Sequence, residues 1–299
     1  MFGAMELPRV APPFTTLLEH GIDYAGLFPP AALPLHHVVR NYAEYRGGPD
    51  RGTLGRLIVP AGRLDEFASA VKTAGVDPAG WRLAATLGAD LTAESRLVAE
   101  ANRRLARVGV AVDAVEAKVG DSEAVALLAR SVEPSVVWYG EIGLPGSDLV
   151  LDAIAAHGGF AKIRMGGTTT DLFPDPDAVV ALLRAVVARG LPFKATAGLH
   201  HPLRGAYPLT YSADSHSAVM YGFLNLVLAT MLAQHGAAAP EIREALLESD
   251  GRQFRFHGEE LRWRQYRLAN LERCRAGFHG FGSCSFREPI DELGLTLTP

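Results

Sequence analysis

The chain has 299 residues, of which 48% are hydrophobic and 21% charged, and its net charge is −4. This composition is typical of globular proteins and argues against a nucleic-acid-binding protein, which normally carries a basic surplus. No stretch is apolar for long enough to cross a membrane, and two cysteines, Cys274 and Cys284, provide neither a disulfide framework nor a zinc quartet.

The N-terminal segment MFGAMELPRVAPPF lacks the basic start and apolar core of a secretion signal. A chain with so few cysteines is also compatible with a reducing compartment. We therefore expect a cytoplasmic protein without membrane partners.

Short apolar runs alternate along the chain with segments whose apolar residues have helical spacing, such as LDEFASAVKTAG and PDAVVALLRAVVARG. Eight runs are predicted strands: Tyr24–Phe28, Gly55–Val59, Arg82–Gly88, Val110–Val119, Val136–Gly143, Phe160–Met165, Phe193–Gly198 and Gly222–Leu226. Strands separated by helices form parallel βαβ units, so this pattern predicts an α/β protein with a (β/α)8 TIM barrel. The eighth run, within GFLNLVLATMLAQHG, also fits one continuous helix.

Two regions depart from this rhythm. Residues 200–221 form a long connection rich in Pro, Gly, Ser and Tyr, which is typical of lids and binding loops. From residue 237 onward we expect a short helix in EIREALLES, a small hairpin in QFRFHGEELRW and a helix in RLANLERCRAG. We therefore predict a barrel over residues 1–236 and a C-terminal extension over residues 237–299 that packs on it. Within the extension, GFHGFGSCSF is predicted to be a loop against the barrel mouth, with Cys284 an inert thiol.

Lysine is rare in this chain, with four residues against 25 arginines. Lys118, Lys162 and Lys194 lie in predicted strands, whereas Lys72 lies on a predicted helix. A guanidinium stays charged, but a desolvated amine can lose its proton and attack a carbonyl. The strand lysines are therefore candidates for chemistry.

Alternation along the strands brings charged side chains to common faces. The pairs that share a face are Glu116 with Lys118, Tyr139 with Glu141, Lys162 with Arg164, and Lys194 with Thr196. Because functional residues of this fold gather at the C-terminal strand ends, we expect these groups to meet at one mouth. The alternative is that they form internal ion pairs, Glu116 with Lys162 or Glu141 with Lys118, although buried pairs are a poor source of stability.

The segment from Lys162 to Lys194 resembles the sixth and seventh strands of class I aldolases related to deoxyribose-phosphate aldolase. FAKIRMGGTTT matches the strand that carries the Schiff-base lysine of that family, and FKATAGL matches the K-x-x-x-G pattern of its second lysine. The chain departs from the family after Lys162, where small hydroxyl residues would be expected, and after Gly198, where the loop continues as His200-His201-Pro202.

This resemblance implies that Lys162 forms an imine with a substrate carbonyl. The neighbouring ammonium of Lys194 would favour the neutral amine of Lys162 by like-charge repulsion. Glu141 or Glu116 would move protons, and Lys118 belongs to the same catalytic set.

Several residues around these lysines are candidates for binding an anionic substrate. The backbone of Gly166, Gly167 and Thr168, or of Gly198 and Leu199, is suited to a phosphate or carboxylate, although glycine pairs also simply make turns. Arg164 or Arg204 would supply the counter-charge. The remaining predicted substrate contacts are Thr196, His200 and His201.

His200 and His201 also raise the question of a metal. Neighbouring residues on a strand point in opposite directions, so both could bind one ion only from a loop. No HxH or HExxH pattern and no carboxylate at ligand spacing accompanies them. We therefore predict neither a metal nor another cofactor.

Together these observations predict an enzyme of the lyase or aldolase type that acts on a small anionic carbonyl compound through a lysine imine. One alternative is a barrel transferase or isomerase whose lysines and Arg164 only bind phosphate or carboxylate. A second is a non-catalytic binding or scaffold barrel. The C-terminal arginines form either a solvated face or a subunit contact, which leaves a homo-oligomer open: Arg262, Arg264, Arg267, Arg273 and Arg275.

Overall fold

Eight parallel strands close into a barrel in the computed structural model, which describes residues 12–258 and 260–296. In chain order they are β1 (Ile22–Tyr24), β2 (Leu54–Pro60), β3 (Arg82–Thr86), β4 (Ala111–Lys118), β5 (Val137–Ile142), β6 (Phe160–Arg164), β7 (Phe193–Thr196) and β13 (Phe278–Ser283). Strands β1 to β7 follow one another around the ring, and β13 closes it between β7 and β1. The predicted α/β (β/α)8 barrel is confirmed. Most of the N-terminal segment used to predict the compartment, residues 1–11, lies outside the described residues.

Helices cover the outside of the barrel and link its strands. They are α1 (Pro12–Leu17), α2 (Leu35–Gly47), α3 (Leu64–Ala74), α4 (Leu91–Leu105), α5 (Ser122–Ser131), α6 (Asp148–Ala156), α7 (Pro176–Ala188), α8 (Phe223–Gln234), α9 (Ala239–Leu247), α10 (Leu271–Gly277) and α11 (Arg287–Thr296). None of the helices in the described residues is long and apolar enough to cross a membrane.

Aspartate side chains begin three of these helices. Asp90, Asp121 and Asp175 accept hydrogen bonds from backbone N–H groups in the first turns of α4, α5 and α7. Such caps satisfy donors that have no partner within the helix. Pro176 follows Asp175 at the first helical turn, where a proline ring fits the backbone, and the helix expected in PDAVVALLRAVVARG is confirmed.

The predicted eighth strand at Gly222–Leu226 is wrong, because this segment begins α8. Every residue from Phe223 to Leu232 is buried, and Phe223 stacks on Phe281 of β13 at 4.9 Å between ring centroids. A helix packed on all sides is apolar all round and loses the periodicity that distinguishes it from a buried strand.

The eighth strand of the barrel comes from GFHGFGS, inside the predicted extension. A register shift lies between Phe278 and Phe281 where β13 pairs with β7, and Gly280 has a φ of 116°. A Cβ atom on Gly280 would overlap the carbonyl of Gly21, so this close approach needs glycine. The predicted division at residue 236 is therefore corrected: residues 237–299 include a barrel strand.

A long insertion separates β7 from β13. It starts with the hairpin of β8 (Gly205–Pro208) and β9 (Ser217–Met220), which lies in the predicted loop of residues 200–221. After α8 and α9, a three-stranded sheet follows, made of β10 (Arg255–His257), β11 (Glu260–Trp263) and β12 (Tyr266–Leu268). The predicted hairpin in QFRFHGEELRW is confirmed, and its partner β12 extends it to a sheet.

Two apolar layers position the charged residues. The main core lies between the strands and the helices and includes Ala161, Ile163 and Met165 of the β6 segment. A smaller cluster fills the inside of the barrel and includes Ile58 and Tyr139. Because side chains alternate along a strand, Lys162 and Arg164 face the barrel interior, as predicted.

Candidate active site

A cavity of about 840 Å³ opens at the C-terminal ends of the barrel strands. Its wall includes residues from β4, β5, β6 and β7 and from the loops that follow them. This is the end of the barrel where loops after the strands build active sites, and the volume suits a small molecule. The charged residues of the cavity wall are Glu116, Lys118, Glu141, Lys162, Arg164 and Lys194.

Lys162 lies between two carboxylates at the floor of this cavity. Its Nζ atom is 2.8 Å from Oε2 of Glu116 and 2.8 Å from Oε2 of Glu141. The pairing follows from register, since Glu141 of β5 lies directly beside Lys162 of β6. The lysine side chain is only 8% exposed, so its amine meets the cavity in surroundings with little water.

Lys194 is more deeply buried and has its own pair of carboxylates. Its Nζ atom donates to Asp23 and to Oε1 of Glu116, the latter at 2.5 Å. The ammonium also lies 5.3 Å from the ring centroid of Tyr139, which favours its charged form. Asp23 is fixed in turn by the backbone N–H of Arg56, which donates to Oδ1 at 2.6 Å.

The pKa values of this cluster follow from its pairing. Burial disfavours a charged Glu116, but the ammonium groups of Lys162 and Lys194 outweigh it and lower the pKa of Glu116 to about 2. For Lys194, burial is likewise outweighed by the charges of Asp23 and Glu116, which raise its pKa. Burial also opposes the charge of Glu141, yet Lys162 and Arg164 lower its pKa. Glu116, Glu141 and Lys194 are therefore ionised at neutral pH.

The structure brings four of the five predicted catalytic residues into one network: Glu116, Glu141, Lys162 and Lys194. The fifth, Lys118, lines the cavity at the end of β4, where its side chain is exposed. Of the internal ion pairs considered as an alternative, Glu116 with Lys162 is present. Glu141 pairs with Lys162 and Arg164 in place of the expected Lys118.

The predicted anion-binding residues after β6 lie partly in the cavity wall. Arg164 is partly exposed, its Nε atom lies 3.2 Å from Glu141, and its Nη1 atom donates to the carbonyl of Gly166 at 3.3 Å. Gly167 and Thr168 line the cavity, whereas Gly166 packs against Phe173. Arg164 is thus the cation nearest in sequence to the turn of residues 166–168, and it contacts that turn through the carbonyl of Gly166.

The residues after β7 are divided between two neighbouring spaces. Thr196 and Ala197 line the main cavity, and the chain then turns sharply, because Ala197 and Gly198 have φ values of 60° and 67°. Gly198 and His201 line a smaller adjoining cavity, and His200 lines both.

Arg204 is not among the described residues that line either cavity. Its charge instead acts on Tyr221, whose hydroxyl donates to the carbonyl of Pro174 at 2.8 Å. The geometry therefore favours Arg164 over Arg204 as the counter-charge for a bound anion.

Sequence reasoning missed Asp23 and treated Cys284 as an inert thiol. Asp23 is an acidic residue inside the short buried strand IDY, and this placement was the available signal. Cys284 is buried, yet it lines the main cavity together with His200. Its position in the cavity wall could not be predicted, because the segment GFHGFGSCSF was not recognised as containing a barrel strand.

His201, Glu288 and Glu292 bring potential metal-ligand atoms within 4.8 Å of one another. However, Nδ1 of His201 already contacts Glu292 oxygens at 2.8 and 3.0 Å, and its ring stacks on Tyr207. This hydrogen bond occupies the atoms of His201 and Glu292 that would bind a metal. We therefore infer that the cluster attaches α11 to the loop after β7.

Comparison with protein-family models and with curated proteins finds no match to this chain. Function must therefore be argued from the site, since a TIM barrel supports many unrelated reactions.

Proposed function

We propose that the protein is a lyase of the aldolase type that binds a small anionic carbonyl compound as an imine on Lys162. The observation that carries this assignment is the arrangement of two buried lysines around Glu116 at the floor of an open cavity whose volume suits a small molecule. The local resemblance of the Lys162 and Lys194 strands to class I aldolases supports the same reaction.

Lys162 is the better nucleophile of the two lysines. Lys194 is held as an ammonium by Asp23 and Glu116, which raise its pKa. Lys162 shares both of its carboxylates with another cation, because Glu116 also contacts Lys194 and the other oxygen of Glu141 is 3.2 Å from Arg164. Transfer of one proton from the Lys162 ammonium to Glu141 leaves the net charge of the pair unchanged and frees the amine.

The free amine adds to the substrate carbonyl to give a carbinolamine. Loss of its hydroxyl group as water, with a proton returned by Glu141, gives the iminium ion. The iminium attracts electrons from the adjacent carbon–carbon bond, which breaks when the hydroxyl group on the next carbon loses its proton. Cleavage leaves an enamine on Lys162, and the proton lost by the hydroxyl group, carried by Glu141, passes to the enamine carbon and gives an iminium again. Water then hydrolyses this iminium and restores Lys162.

The rim of the cavity supplies the charge for an anionic substrate group. Lys118 and Arg164 line it, and together with Lys162 and Lys194 they make four cations against the three carboxylates of Asp23, Glu116 and Glu141. A phosphate or carboxylate at the rim would accept hydrogen bonds from these cations and from the turn at Gly167 and Thr168.

Borohydride trapping tests this function directly. The protein is reduced in the presence of a panel of aldehydes, keto acids and sugar phosphates, and adducts are read by intact mass and peptide mapping. We expect a covalent mass gain on Lys162 with at least one compound. Lys162→Arg keeps the positive charge between Glu116 and Glu141 but cannot form an imine, so it should give no adduct.

Lys72→Met is the matched control, because Lys72 is exposed on α3, and its adduct should equal that of the wild type. An adduct on Lys194 or Lys118 that survives in Lys162→Arg would contradict the role of Lys162. The absence of an adduct with every compound would remove imine chemistry and leave anion binding or a non-catalytic role.

A further inference from the structure

Two further reactive side chains, Cys284 and His200, line the same cavity. Cys284 directly follows β13, and its Sγ atom lies 3.8 Å from Nδ1 of His200. Oε2 of Glu288 is 3.4 Å from that nitrogen, and Oγ of Ser283 is 3.2 Å from it. The thiol, the carboxylate and the hydroxyl thus surround one nitrogen of the imidazole. Glu288 lies where it stabilises a proton on Nδ1 of His200, next to the thiol of Cys284.

The groups around the thiol favour a proton on His200. Burial opposes the charge of His200, but its hydrogen bonds with Cys284 and Glu288 raise its pKa to about 9. Glu288 has a lowered pKa, because the contact with His200 outweighs its burial. The imidazole can therefore hold the thiol proton at neutral pH.

Two phenols also face the thiol. The hydroxyl of Tyr211 lies 3.5 Å from Sγ and donates to Glu288 at 3.0 Å, and burial raises its pKa. Burial likewise raises the pKa of Tyr24, to about 12. Both phenols stay neutral in the range where His200 titrates, so His200 is the group positioned to exchange a proton with Cys284.

We propose that Cys284 and His200 form a second reactive pair of this cavity, which adds the thiol to an aldehyde carbonyl. A sulfur–carbon bond forms, the carbonyl π bond opens, and the thiol proton passes through His200 to the carbonyl oxygen. The product is a thiohemiacetal, so the step needs no oxidant and releases no leaving group. The reverse step frees the aldehyde.

The choice of an aldehyde rests on the proposed function. Cleavage beside an iminium on Lys162 turns the carbon that carried the hydroxyl group into an aldehyde. Cys284 lies within reach of the same space, because Gly282 of β13 pairs with Thr196 of β7, two residues beyond Lys194. The pair would hold the aldehyde half while the other half remains on Lys162.

Cys274 provides an internal control for the reactivity of Cys284. Cys274 lies on α10, is 1% exposed, and burial raises its pKa to about 12. It is not among the described residues that line the cavity. Any modification of the folded protein should therefore distinguish the two cysteines.

Alkylation by iodoacetamide, mapped by peptide mass over about pH 6 to pH 10, tests the pair. We expect Cys284 to react and Cys274 to stay unmodified. His200→Gln should slow alkylation of Cys284 about tenfold near pH 7, and the difference should become small near pH 10, where His200 is itself neutral because its pKa is about 9. His36→Gln is the control and should behave like the wild type, since His36 is exposed on α2 and is not among the described residues that line either cavity. An equal slowing at all pH values would mean that His200 affects only access and would overturn the pair.

Glycolaldehyde labelled with carbon-13 at its carbonyl tests the bond itself. In the NMR spectrum of the protein, a thiohemiacetal carbon and an imine carbon give separate signals. We expect a thiohemiacetal signal that disappears in Cys284→Ser, while an imine signal disappears in Lys162→Arg. An imine without a thiohemiacetal would overturn the role of Cys284 alone. A thiohemiacetal without an imine would support Cys284 and contradict the imine on Lys162.

Discussion

Lys162 and Lys194 are register partners on neighbouring strands, so two ammonium groups lie side by side inside the barrel. Like charges placed opposite each other in a sheet repel. Glu116 offsets this repulsion, because its two oxygens contact the two lysines separately. Burying two ammonium groups and the carboxylates that neutralise them costs more free energy than filling the barrel with apolar side chains. This cost favours a chemical role for the two lysines.

Removing the positive charge of Lys194 should destabilise the protein in a pH-dependent way. Lys194→Met leaves Asp23 without its lysine and Glu116 with only one, and breaking a buried pair costs about 3–5 kcal/mol. Urea denaturation near pH 7 should show this loss. The loss should shrink near pH 4, because Glu116 keeps only one of the two ammonium groups that lower its pKa and therefore binds a proton more readily than in the wild type. Lys72→Met should change the free energy of unfolding by less than about 0.5 kcal/mol. An equal loss at both pH values would contradict the proposed pairing.

Glu116 should govern part of the acid sensitivity of the fold. Its pKa of about 2 in the folded chain lies below the usual value of about 4.3 in an unfolded chain. Its contribution is therefore present above pH 5 and is lost as the pH falls toward 2, by about 3 kcal/mol in total. Urea denaturation across this range should give a shallower pH dependence for Glu116→Gln than for the wild type. Glu123→Gln, at an exposed position of α5, should keep the wild-type slope; a slope unchanged in Glu116→Gln would refute the assignment.

Much of the barrel could be predicted because local patterns and tertiary packing agree. Apolar residues on one face of α3 or α7 predict helices that cover a sheet, and the structure has both. Alternation in FAKIR also identified which face of β6 turns inward. This alternation alone predicted that Lys162 lies inside the barrel and not on its outer surface.

The eighth strand could not be predicted, since two local signals were misleading. The helix α8 is buried on all sides and carries no amphipathic pattern. The strand β13 has no regular alternation, because the shift near Gly280 places Phe278 and Phe281 three residues apart on the same core. Only closure of the ring shows that this glycine-rich segment is a strand.

The same error hid part of the candidate site. Lys162, Lys194, Glu116 and Glu141 were found because charged residues in apolar strands stand out. Cys284 is small and apolar in character, and nothing in its local sequence distinguishes a cavity wall from a core. Its proximity to His200 depends on the pairing of β13 with β7, which spans most of the insertion.

Barrel closure by β13 should be required for folding. A fragment of residues 1–236 leaves β1 and β7 without the strand that joins them. We expect no cooperative thermal unfolding of this fragment by circular dichroism. In the full chain, Gly280→Ala should destabilise by several kcal/mol, since the new Cβ meets the Gly21 carbonyl. Gly62→Ala, where the Cβ has open space, should be nearly neutral, and cooperative unfolding of the fragment would contradict the requirement for β13.

Lys118 should determine how well the cavity accepts an anionic substrate. It stands at the exposed rim and forms no ion pair with the described residues, although Glu141 lies beside it on β5, so Lys118→Met should leave stability unchanged. A lost hydrogen bond to a charged group costs about 1.5–3 kcal/mol, which corresponds to roughly a tenfold or greater loss of affinity. Borohydride adduct formation should therefore fall with glycolaldehyde phosphate but not with glycolaldehyde. An equal decrease for both compounds would show that Lys118 acts on the imine chemistry itself, and no decrease for either would assign the anion to Arg164 and the turn at Gly167.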